Sequence, residues 1–278
     1  MDLDTPMENT WCPGCGDFGL LNAFKRAVRE LVDEGFCKKE DLVVSSGIGC
    51  HGKTVDYLHL NSFYSIHGRA ITTISGMKLA NPNLHVIAFQ GDGDALAEGI
   101  GHIVHVAKRN INITMIVYNN EVYSLTTGQF TPTSKKGFKG KSTPKGNVEE
   151  PLSPAMLVLA SGGTFVARGF VGKIDHLKGI FKEAIKHEGF SFVEVMQPCV
   201  TFLNTFKLWR EMTYILEDHD PSDFDAAWEK AKETEKLPIG ILYQTKAPTY
   251  EKELLGSLIP AQQKKAPSEE IKAIFAER

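Results

Sequence analysis

Residues 84–120 read LHVIAFQGDGDALAEGIGHIVHVAKRNINITMIVYNN, and this stretch decides the fold. It opens on a continuous apolar run of strand length, residues 84–90, and closes on a second such run, residues 111–118. Between the two runs, residues 94–109 have the apolar periodicity of an amphipathic helix. A right-handed crossover makes the two strands parallel and brings their C-terminal ends to one edge of a sheet.

Polar side chains follow both of these strands. Asp92, between Gly91 and Gly93, brings a carboxylate to the predicted edge, and Asn120 brings an amide oxygen. Open α/β sheets bind ligands at this edge, and Mg²⁺ takes oxygen ligands while sharing its coordination shell with phosphates and water. Glycines permit close approach of the backbone, and the N-terminus of the following helix attracts anions. The pattern predicts a magnesium–diphosphate site, whereas Gly-Asp-Gly alone would indicate an ordinary turn.

The cysteines offer a second kind of ligand. Cys12 and Cys15 form a Cys-x-x-Cys turn, while Cys50 and Cys199 each follow a predicted strand and therefore reach the same sheet edge. The Cys-x-x-Cys pair alone would suit a redox pair, half a zinc site or iron–sulfur ligation. Four converging thiolates suit a four-iron, four-sulfur cluster, and free buried cysteines are the alternative. We expect the fifth cysteine, Cys37, to be structural.

Length, composition and charge limit the fold class and the functions that are possible. With 278 residues, of which 42% are hydrophobic, the chain suffices for one large α/β domain. The formal net charge of −3 gives no electrostatic reason to expect nucleic-acid binding. Residues 1–8 are polar and acidic and no long apolar run occurs, so we expect neither a signal peptide nor a membrane span, and we expect a cytoplasmic protein. Alternating strands and helices predict a parallel sheet covered by helices on both faces.

Two segments stand apart from this pattern. Residues 1–204 are predicted to form the domain that carries the site, and residues 205–278 a C-terminal arm that packs on a partner subunit. Residues 126–151 have no apolar period and are predicted to be a polar loop without secondary structure. Its lysines could meet the phosphates of coenzyme A or a carboxylate substrate, or simply face solvent; they are Lys135, Lys136, Lys139, Lys141 and Lys145.

Six segments together resemble the β subunits of 2-oxoacid:ferredoxin oxidoreductases. They are WCPGCGDFG (11–19), GIGCHG (47–52), IHGRA (66–70), QGDGDALAEGIGH (90–102), YNNEVYSLTTGQ (118–129) and QPCVTF (197–202). The likeness implies a thiamine diphosphate-binding fold and oxidative decarboxylation of a 2-oxoacid with coenzyme A, giving an acyl-CoA, carbon dioxide and reduced ferredoxin. It also implies that catalysis needs an α subunit, which carries the pyrimidine-binding domain and an activating glutamate.

The same resemblance implies the site residues. Mg²⁺ would be held by Asp92, Asn120 and the carbonyl of Val122. One four-iron, four-sulfur cluster would be held by Cys12, Cys15, Cys50 and Cys199. Thiamine diphosphate would be contacted by Ile48, Gly49, Cys50, His51, His67, Gly68, Gly91, Gly93, Asp94, Leu125 and Thr126. His51 and His67 are the predicted catalytic groups, since histidine exchanges protons near neutral pH.

Two other functions fit parts of the pattern. A non-redox thiamine diphosphate decarboxylase subunit would keep Asp92 and Asn120 but would not need four converging cysteines. An iron–sulfur or zinc electron carrier would not need the Gly-Asp-Gly turn with its paired asparagines. Within the family, the motifs favour the 2-oxoglutarate or broad 2-oxoacid branch. Thr127 stands where broad-specificity relatives often carry a lysine, which leaves the preferred 2-oxoacid and the coenzyme A contact open.

Overall fold

A computed structural model of the chain describes residues 1–263 and residue 272. The described residues form strands and helices in alternation. The strands are β1 (Leu42–Ser46), β2 (Asn61–Tyr64), β3 (His85–Gly91), β4 (Thr114–Asn119), β5 (Val122–Tyr123), β6 (Gln129–Phe130), β7 (Phe165–Phe170), β8 (Ser191–Met196), β9 (Thr213–Ile215) and β10 (Leu237–Gln244). The α-helices are α1 (Gly16–Asp33), α2 (Ala70–Ala80), α3 (Ile100–Arg109), α4 (Pro154–Ala160), α5 (Ile174–Lys186), α6 (Phe206–Met212), α7 (Phe224–Lys232) and α8 (Tyr250–Leu255). Short helical turns span Lys39–Asp41, Cys50–Tyr57, Asp94–Glu98 and Pro260–Gln262.

One large sheet organises the fold. Its strands lie in the order β2-β1-β3-β4-β8-β7-β10-β9. The pairs from β2 through β7 in that order are all parallel, whereas β10 runs antiparallel to β7. Strands β4, β7 and β8 are buried along their whole length. This burial on both faces explains why the strands read as continuous apolar runs rather than as alternating patterns.

Helices cover both faces of the sheet. On one face α1 and α5 enclose a core in which Phe24 packs edge-to-face against Phe89 and Phe181, with ring centroids 4.9 and 6.0 Å apart. On the other face α2, α3, α4 and α7 enclose a second core, which includes Ile74 and Ile103. The predicted fold, a parallel sheet between two helical layers, is confirmed. Among the described residues, no helix combines the length and apolar composition that a membrane span requires.

The helix predicted for residues 94–109 is interrupted, which corrects the sequence prediction. A single π-helical turn spans Asp94–Glu98, and the α-helix begins only at Ile100. The interruption lies where the backbone of Gly68 approaches most closely. A Cβ on Gly99 would lie 2.9 Å from the carbonyl oxygen of Gly68, and a Cβ on Gly68 would lie 2.5 Å from the carbonyl carbon of Glu98. Two glycines therefore let the loop before α2 rest directly on this turn.

The segment predicted as a structureless loop is partly ordered by side chains. Strands β5 and β6 form a short antiparallel hairpin at its start. Thr131, Thr133, Ser134 and Asn147 are buried beyond it, and Asn147 Nδ2 donates to the carbonyl of Ser134 at 3.2 Å. All five lysines of the segment are exposed. Polar residues form the buried side of this segment, so its sequence shows no apolar period.

The C-terminal segment joins the sheet of the preceding domain. Strand β10 extends the sheet beyond β7, and Trp209 on α6 is buried against the same core as α1 and α5. Residues 206–244 are thus continuous with the domain, and the predicted boundary at residue 204 does not separate them from it. That residues 205–278 also pack on a partner stays a prediction. From residue 264 onward only residue 272 is among the described residues.

Candidate active site

The two strands that open and close the Gly-Asp-Gly unit end side by side. Strand β3 pairs with β4 so that Gly91 lies opposite Tyr118. The residues that follow, Asp92 and Asn120, are therefore brought to the same C-terminal edge of the sheet, and both are buried. Both line one cavity with Val122. We call it the edge cavity; its lining is Ile48, Gly49, Cys50, His51, His67, Gly91, Asp92, Gly93, Asp94, Asn120, Val122, Tyr123, Ser124, Leu125 and Thr126.

Two threonines hold the carboxylate of Asp92. The hydroxyls of Thr131 and Thr133 donate to Oδ2 of Asp92 at 2.6 and 2.5 Å. Burial raises the pKa of Asp92, and the two hydroxyls with the amide of Gly93 counteract that rise by stabilising the anion. The sequence reasoning missed both threonines, because they lie in the segment that it treated as a loop. No local sequence motif predicts these two threonines.

The paired asparagines have different surroundings. Asn119 Nδ2 donates to Glu194 on β8 at 2.8 Å, while its Oδ1 accepts from Thr133 at 3.1 Å. Asn120 instead lines the edge cavity, and its Oδ1 accepts the amide N–H of Val122 at 3.1 Å. An amide oxygen has two lone pairs, so this bond leaves one for a metal ion. Asn120 is therefore the ligand candidate, and Asn119 fixes the end of β4.

Asp94 is the most heavily hydrogen-bonded carboxylate of the site. Its Oδ1 accepts from the amides of Ile48 and Gly68 at 3.1 and 2.9 Å and lies 2.9 Å from His67 Nδ1. Its Oδ2 accepts from Gln90 Nε2 at 3.0 Å. Burial alone would raise the pKa of Asp94, but the nearby His51 and these donors outweigh burial and lower it. Asp94 is thus an anion that joins three separate loops.

His51 lies between two glycines. A Cβ on Gly49 would lie 2.6 Å from the ring of His51, and a Cβ on Gly91 would lie 2.8 Å from its Nδ1. The Nε2 atom is 3.5 Å from Oδ2 of Asp94 and has no hydrogen-bond partner among the described residues. These glycines place the imidazole against the Gly-Asp-Gly turn, with Nε2 buried beside the Asp94 carboxylate.

The four cysteines predicted as cluster ligands line a second cavity. It measures about 270 Å³, and we call it the cysteine cavity; its other walls include Trp11, Asp17, Lys53 and Gln197. Cys37 lies apart from it, buried in the core against α1, as predicted. Burial raises the pKa of the Cys15 and Cys50 thiols. Asp17 is fully buried beside them, and burial raises its pKa to about 6.

The two cavities share a wall. The residues common to both are Cys50, Asn120, Ser124, Leu125 and Thr126. A ligand of the predicted cluster and a ligand of the predicted magnesium ion thus lie on one partition. The sequence predicts both ligand sets at one sheet edge, and in the structure Cys50 and Asn120 line the wall between the two cavities.

The residues present fit both groups. In the described part of the chain, no three His, Cys, Asp or Glu side chains could together hold a single ion. A magnesium ion at the edge cavity would have the single carboxylate of Asp92 and neutral amide and carbonyl oxygens as protein ligands. Four cysteine side chains that line one cavity would suit the thiolate ligation of an iron–sulfur cluster. Every residue predicted to contact thiamine diphosphate lines the edge cavity except Gly68, which donates to Asp94 from behind it.

Comparison with known proteins identifies the family of the chain. Residues 47–195 match the family model described as the C-terminal TPP binding domain of thiamine pyrophosphate enzymes. Residues 199–257 match the model for the C-terminal part of the pyruvate ferredoxin oxidoreductase β subunit. The chain is 43% identical over 266 residues to the 2-oxoacid:ferredoxin oxidoreductase subunit beta of Saccharolobus solfataricus, an alignment that covers 88% of this chain and 85% of that relative.

The chain belongs to the family of 2-oxoacid:ferredoxin oxidoreductase β subunits. Another member, the 2-oxoglutarate synthase subunit KorB of Archaeoglobus fulgidus, is 43% identical over 200 residues, or 72% of this chain and 73% of KorB. The 2-oxoglutarate:ferredoxin oxidoreductase of Magnetococcus marinus superimposes with a TM-score of 0.89 at 36% identity, covering 98% of this chain and 94% of that one. The family and its thiamine diphosphate domain, predicted from the motifs, are confirmed.

Proposed function

We propose that this β subunit supplies the diphosphate half of a thiamine diphosphate site and the first electron acceptor of a 2-oxoacid:ferredoxin oxidoreductase. The observation that carries the proposal is the wall shared by the edge cavity and the cysteine cavity. A decarboxylase without redox chemistry has no use for four cysteines beside its cofactor. An electron carrier has no use for the oxygen donors of the edge cavity.

The magnesium ion would be held by Asp92, Asn120 and the carbonyl of Val122. Thiamine diphosphate, when bound, supplies the carbanion chemistry that cleaves the carboxylate of a 2-oxoacid. Asp94 would act on the cofactor indirectly, because protein donors already occupy both its oxygens. Its role is to hold the amides of Ile48 and Gly68 in place at the edge cavity.

The two histidines can carry protons at this site. The carboxylate of Asp94 favours the tautomer of His67 that bears its proton on Nδ1, which leaves Nε2 as an acceptor. His51 lies against the same carboxylate, with its Nε2 buried 3.5 Å from Oδ2 of Asp94. We therefore assign His51 and His67 the proton transfers that accompany decarboxylation and acyl transfer.

The cluster would be held by Cys12, Cys15, Cys50 and Cys199, and ferredoxin would take its electrons. We favour 2-oxoglutarate as substrate and coenzyme A as acyl acceptor, since the Magnetococcus marinus relative was solved with both, together with succinyl-CoA. The exposed lysines of residues 126–151 remain candidates for contacting the coenzyme A phosphates. A cytoplasmic location fits the unpaired state of all five cysteines.

A partner must complete the site. No glutamate lines the edge cavity in the described part of the chain, so the carboxylate that activates the aminopyrimidine is assigned to an α subunit. We expect the lone chain to reduce no ferredoxin and the co-purified α–β assembly to do so, with a 2-oxoacid and coenzyme A both required. Turnover by the lone chain would overturn the partner assignment.

The assay also separates the other functions and the substrates. It is run anaerobically with viologen or ferredoxin, on pyruvate and 2-oxoglutarate in parallel, after iron, zinc and thiamine have been quantified. Thiamine without iron would indicate a non-redox decarboxylase, whereas iron or zinc without thiamine would indicate an electron carrier. Faster turnover of pyruvate would reject the assigned substrate.

A further inference from the structure

Gln197 is hydrogen-bonded to both halves of the site. It follows directly after β8, is 1% exposed, and lines the cysteine cavity. Its Oε1 accepts from Asn120 Nδ2 at 3.0 Å, and its Nε2 donates to Cys15 Sγ at 3.6 Å. One buried amide thus bridges a proposed magnesium ligand and a proposed cluster ligand.

Backbone groups fix the direction of this bridge. The N–H of Val122 donates to Asn120 Oδ1, so the Nδ2 of Asn120 is the atom that faces Gln197. The carbonyl of Pro198 accepts from Gln197 Nε2 at 3.0 Å, so the amide nitrogen of Gln197 is the end that faces Cys15. Neither side-chain amide can be reversed without setting acceptor against acceptor or donor against donor. The donors therefore all point from Asn120 toward the sulfur.

The chain also leaves room for the bridge. A Cβ on Gly16 would lie 2.9 Å from Gln197 Nε2 and 3.2 Å from the ring of Pro198. Gly16 is the first residue of α1 and directly follows Cys15. The glycine of the Cys-x-x-Cys-Gly sequence is thus the residue that allows the amide of Gln197 to reach the Cys15 sulfur.

We propose that Gln197 is a positioning residue that couples cofactor binding to the reduction potential of the cluster. This inference rests on the proposed function, because it needs magnesium at Asn120 and a cluster at Cys15. Metal coordination to Asn120 Oδ1 polarises the amide and strengthens its Nδ2 donor, and hydrogen bonds in a chain polarise one another. The donor on Cys15 then strengthens, which favours the more negative reduced cluster and raises its potential.

Coupling between two sites is reciprocal. If thiamine diphosphate with Mg²⁺ raises the cluster potential, reduction of the cluster tightens thiamine diphosphate by the same factor. Couplings between two sites typically change affinity by about fivefold or more. For a one-electron couple a tenfold change corresponds to about 59 mV, so a fivefold change corresponds to about 40 mV. Electrons would then move to the cluster most readily when the cofactor is in place.

Thr201 provides a matched control. Its hydroxyl donates to Cys12 Sγ at 3.3 Å, and among the described residues it has no bond to Asn120. Thr201→Val removes a donor to the cluster without breaking the bridge. Gln197→Met removes the bridge and fills a similar volume with an apolar side chain.

The experiment is a redox titration of the cluster in the co-purified α–β assembly, followed by electron paramagnetic resonance with and without thiamine diphosphate and Mg²⁺. Calorimetry of cofactor binding to oxidised and reduced protein measures the reciprocal effect. In native protein we expect thiamine diphosphate with Mg²⁺ to raise the cluster potential by about 40 mV, which corresponds to a fivefold coupling. Thr201→Val should show the same rise from a lower starting potential, and Gln197→Met should show less than half of it.

An equal rise in Gln197→Met would overturn the coupling, and so would no rise in native protein, a measurement that needs no variant to fold. Protein that binds thiamine diphosphate but contains no iron would instead overturn the proposed cluster, and this inference with it. The iron content therefore tells the two failures apart.

Discussion

His67 Nδ1 lies 2.9 Å from Oδ1 of Asp94, an oxygen that also accepts the amides of Gly68 and Ile48. The loop before α2, the loop after β1 and the Gly-Asp-Gly turn are all attached to this one buried carboxylate. Because a buried anion without donors is costly, the three loops depend on one another for their positions. The edge cavity is preorganised by this arrangement.

Asp92→Ala should abolish retention of Mg²⁺ and thiamine diphosphate while iron stays near its normal content. Asp92 is the one charged oxygen ligand proposed for the metal, and a neutral oxygen set holds Mg²⁺ weakly. Equilibrium dialysis and metal analysis provide the measurement. Unchanged cofactor affinity in this variant would remove Asp92 from the ligand set.

Single replacement of Cys12, Cys15, Cys50 or Cys199 by Ala should destabilise or eliminate the cluster. Cys37→Ala is the matched control, since Cys37 packs in the core and should affect stability rather than iron. Iron content and visible absorbance after anaerobic purification decide the matter. Retained iron in Cys199→Ala, or lost iron in Cys37→Ala, would show that the four ligands were chosen wrongly.

Gly47→Ala should weaken thiamine diphosphate binding by about 10- to 100-fold. Its Cβ would lie 1.9 Å from Oδ2 of Asp94, so the carboxylate must move and lose donors whose bonds to a charged group each contribute about 1.5–3 kcal/mol. Gly76→Ala is the control, because a Cβ there meets nothing within 4 Å. Replacing this helical glycine by alanine should stabilise the fold by about 0.5–1 kcal/mol and leave thiamine diphosphate binding unchanged.

Replacing Thr131 and Thr133 together by Val should weaken Mg²⁺ binding by about tenfold, because a buried Asp92 without its hydroxyl donors is a less stable anion. The conservative pair Thr131→Ser and Thr133→Ser keeps both hydroxyls and should restore affinity. Magnesium titration monitored by calorimetry at a fixed pH tests both. Equal affinity in the Val and Ser proteins would show that the hydroxyls only fill space.

His187 should make the fold sensitive to mild acid. Burial lowers its pKa to about 4, and its Nε2 lies 2.9 Å from the hydroxyl of Thr164. Between pH 6.5, the ordinary histidine pKa, and about pH 4, the unfolded chain binds a proton at His187 that the native chain does not bind. The free energy of unfolding should therefore fall as pH drops from about 6.5 to 4, by about 1–2 kcal/mol at pH 5. His187→Gln should flatten this decline in urea titrations, whereas replacing the exposed His105 should not.

Most residues of the candidate site were predicted from the sequence. Asp92, Asn120 and the four cysteines were predicted because each follows a strand or sits in a tight turn, and parallel strands deliver their C-terminal ends to one edge. Cys37 was predicted to be structural, and the structure places it in the core, outside the cysteine cavity. Glycines at positions 91 and 93 marked the close backbone approach.

Other features had no local signal. Thr131 and Thr133 reach Asp92 from a segment about 40 residues away, and Gln197 bridges Asn120 to Cys15 across an even longer separation. The helix breaks at Gly99, where the backbone of Gly68 packs against it, and β10 pairs with β7 antiparallel. Such contacts depend on where the chain folds back, so no period along the sequence records them.

The sequence by itself determined the family and the α/β class, and it predicted two ligand sets, because apolar periodicity and residue chemistry are local properties. Only the tertiary structure decided which carboxylate organises the loops, which asparagine faces the edge cavity, and how the two cavities meet. The physical reason is that hydrogen bonds between buried side chains need both partners within about 3 Å, a condition that packing alone fulfils.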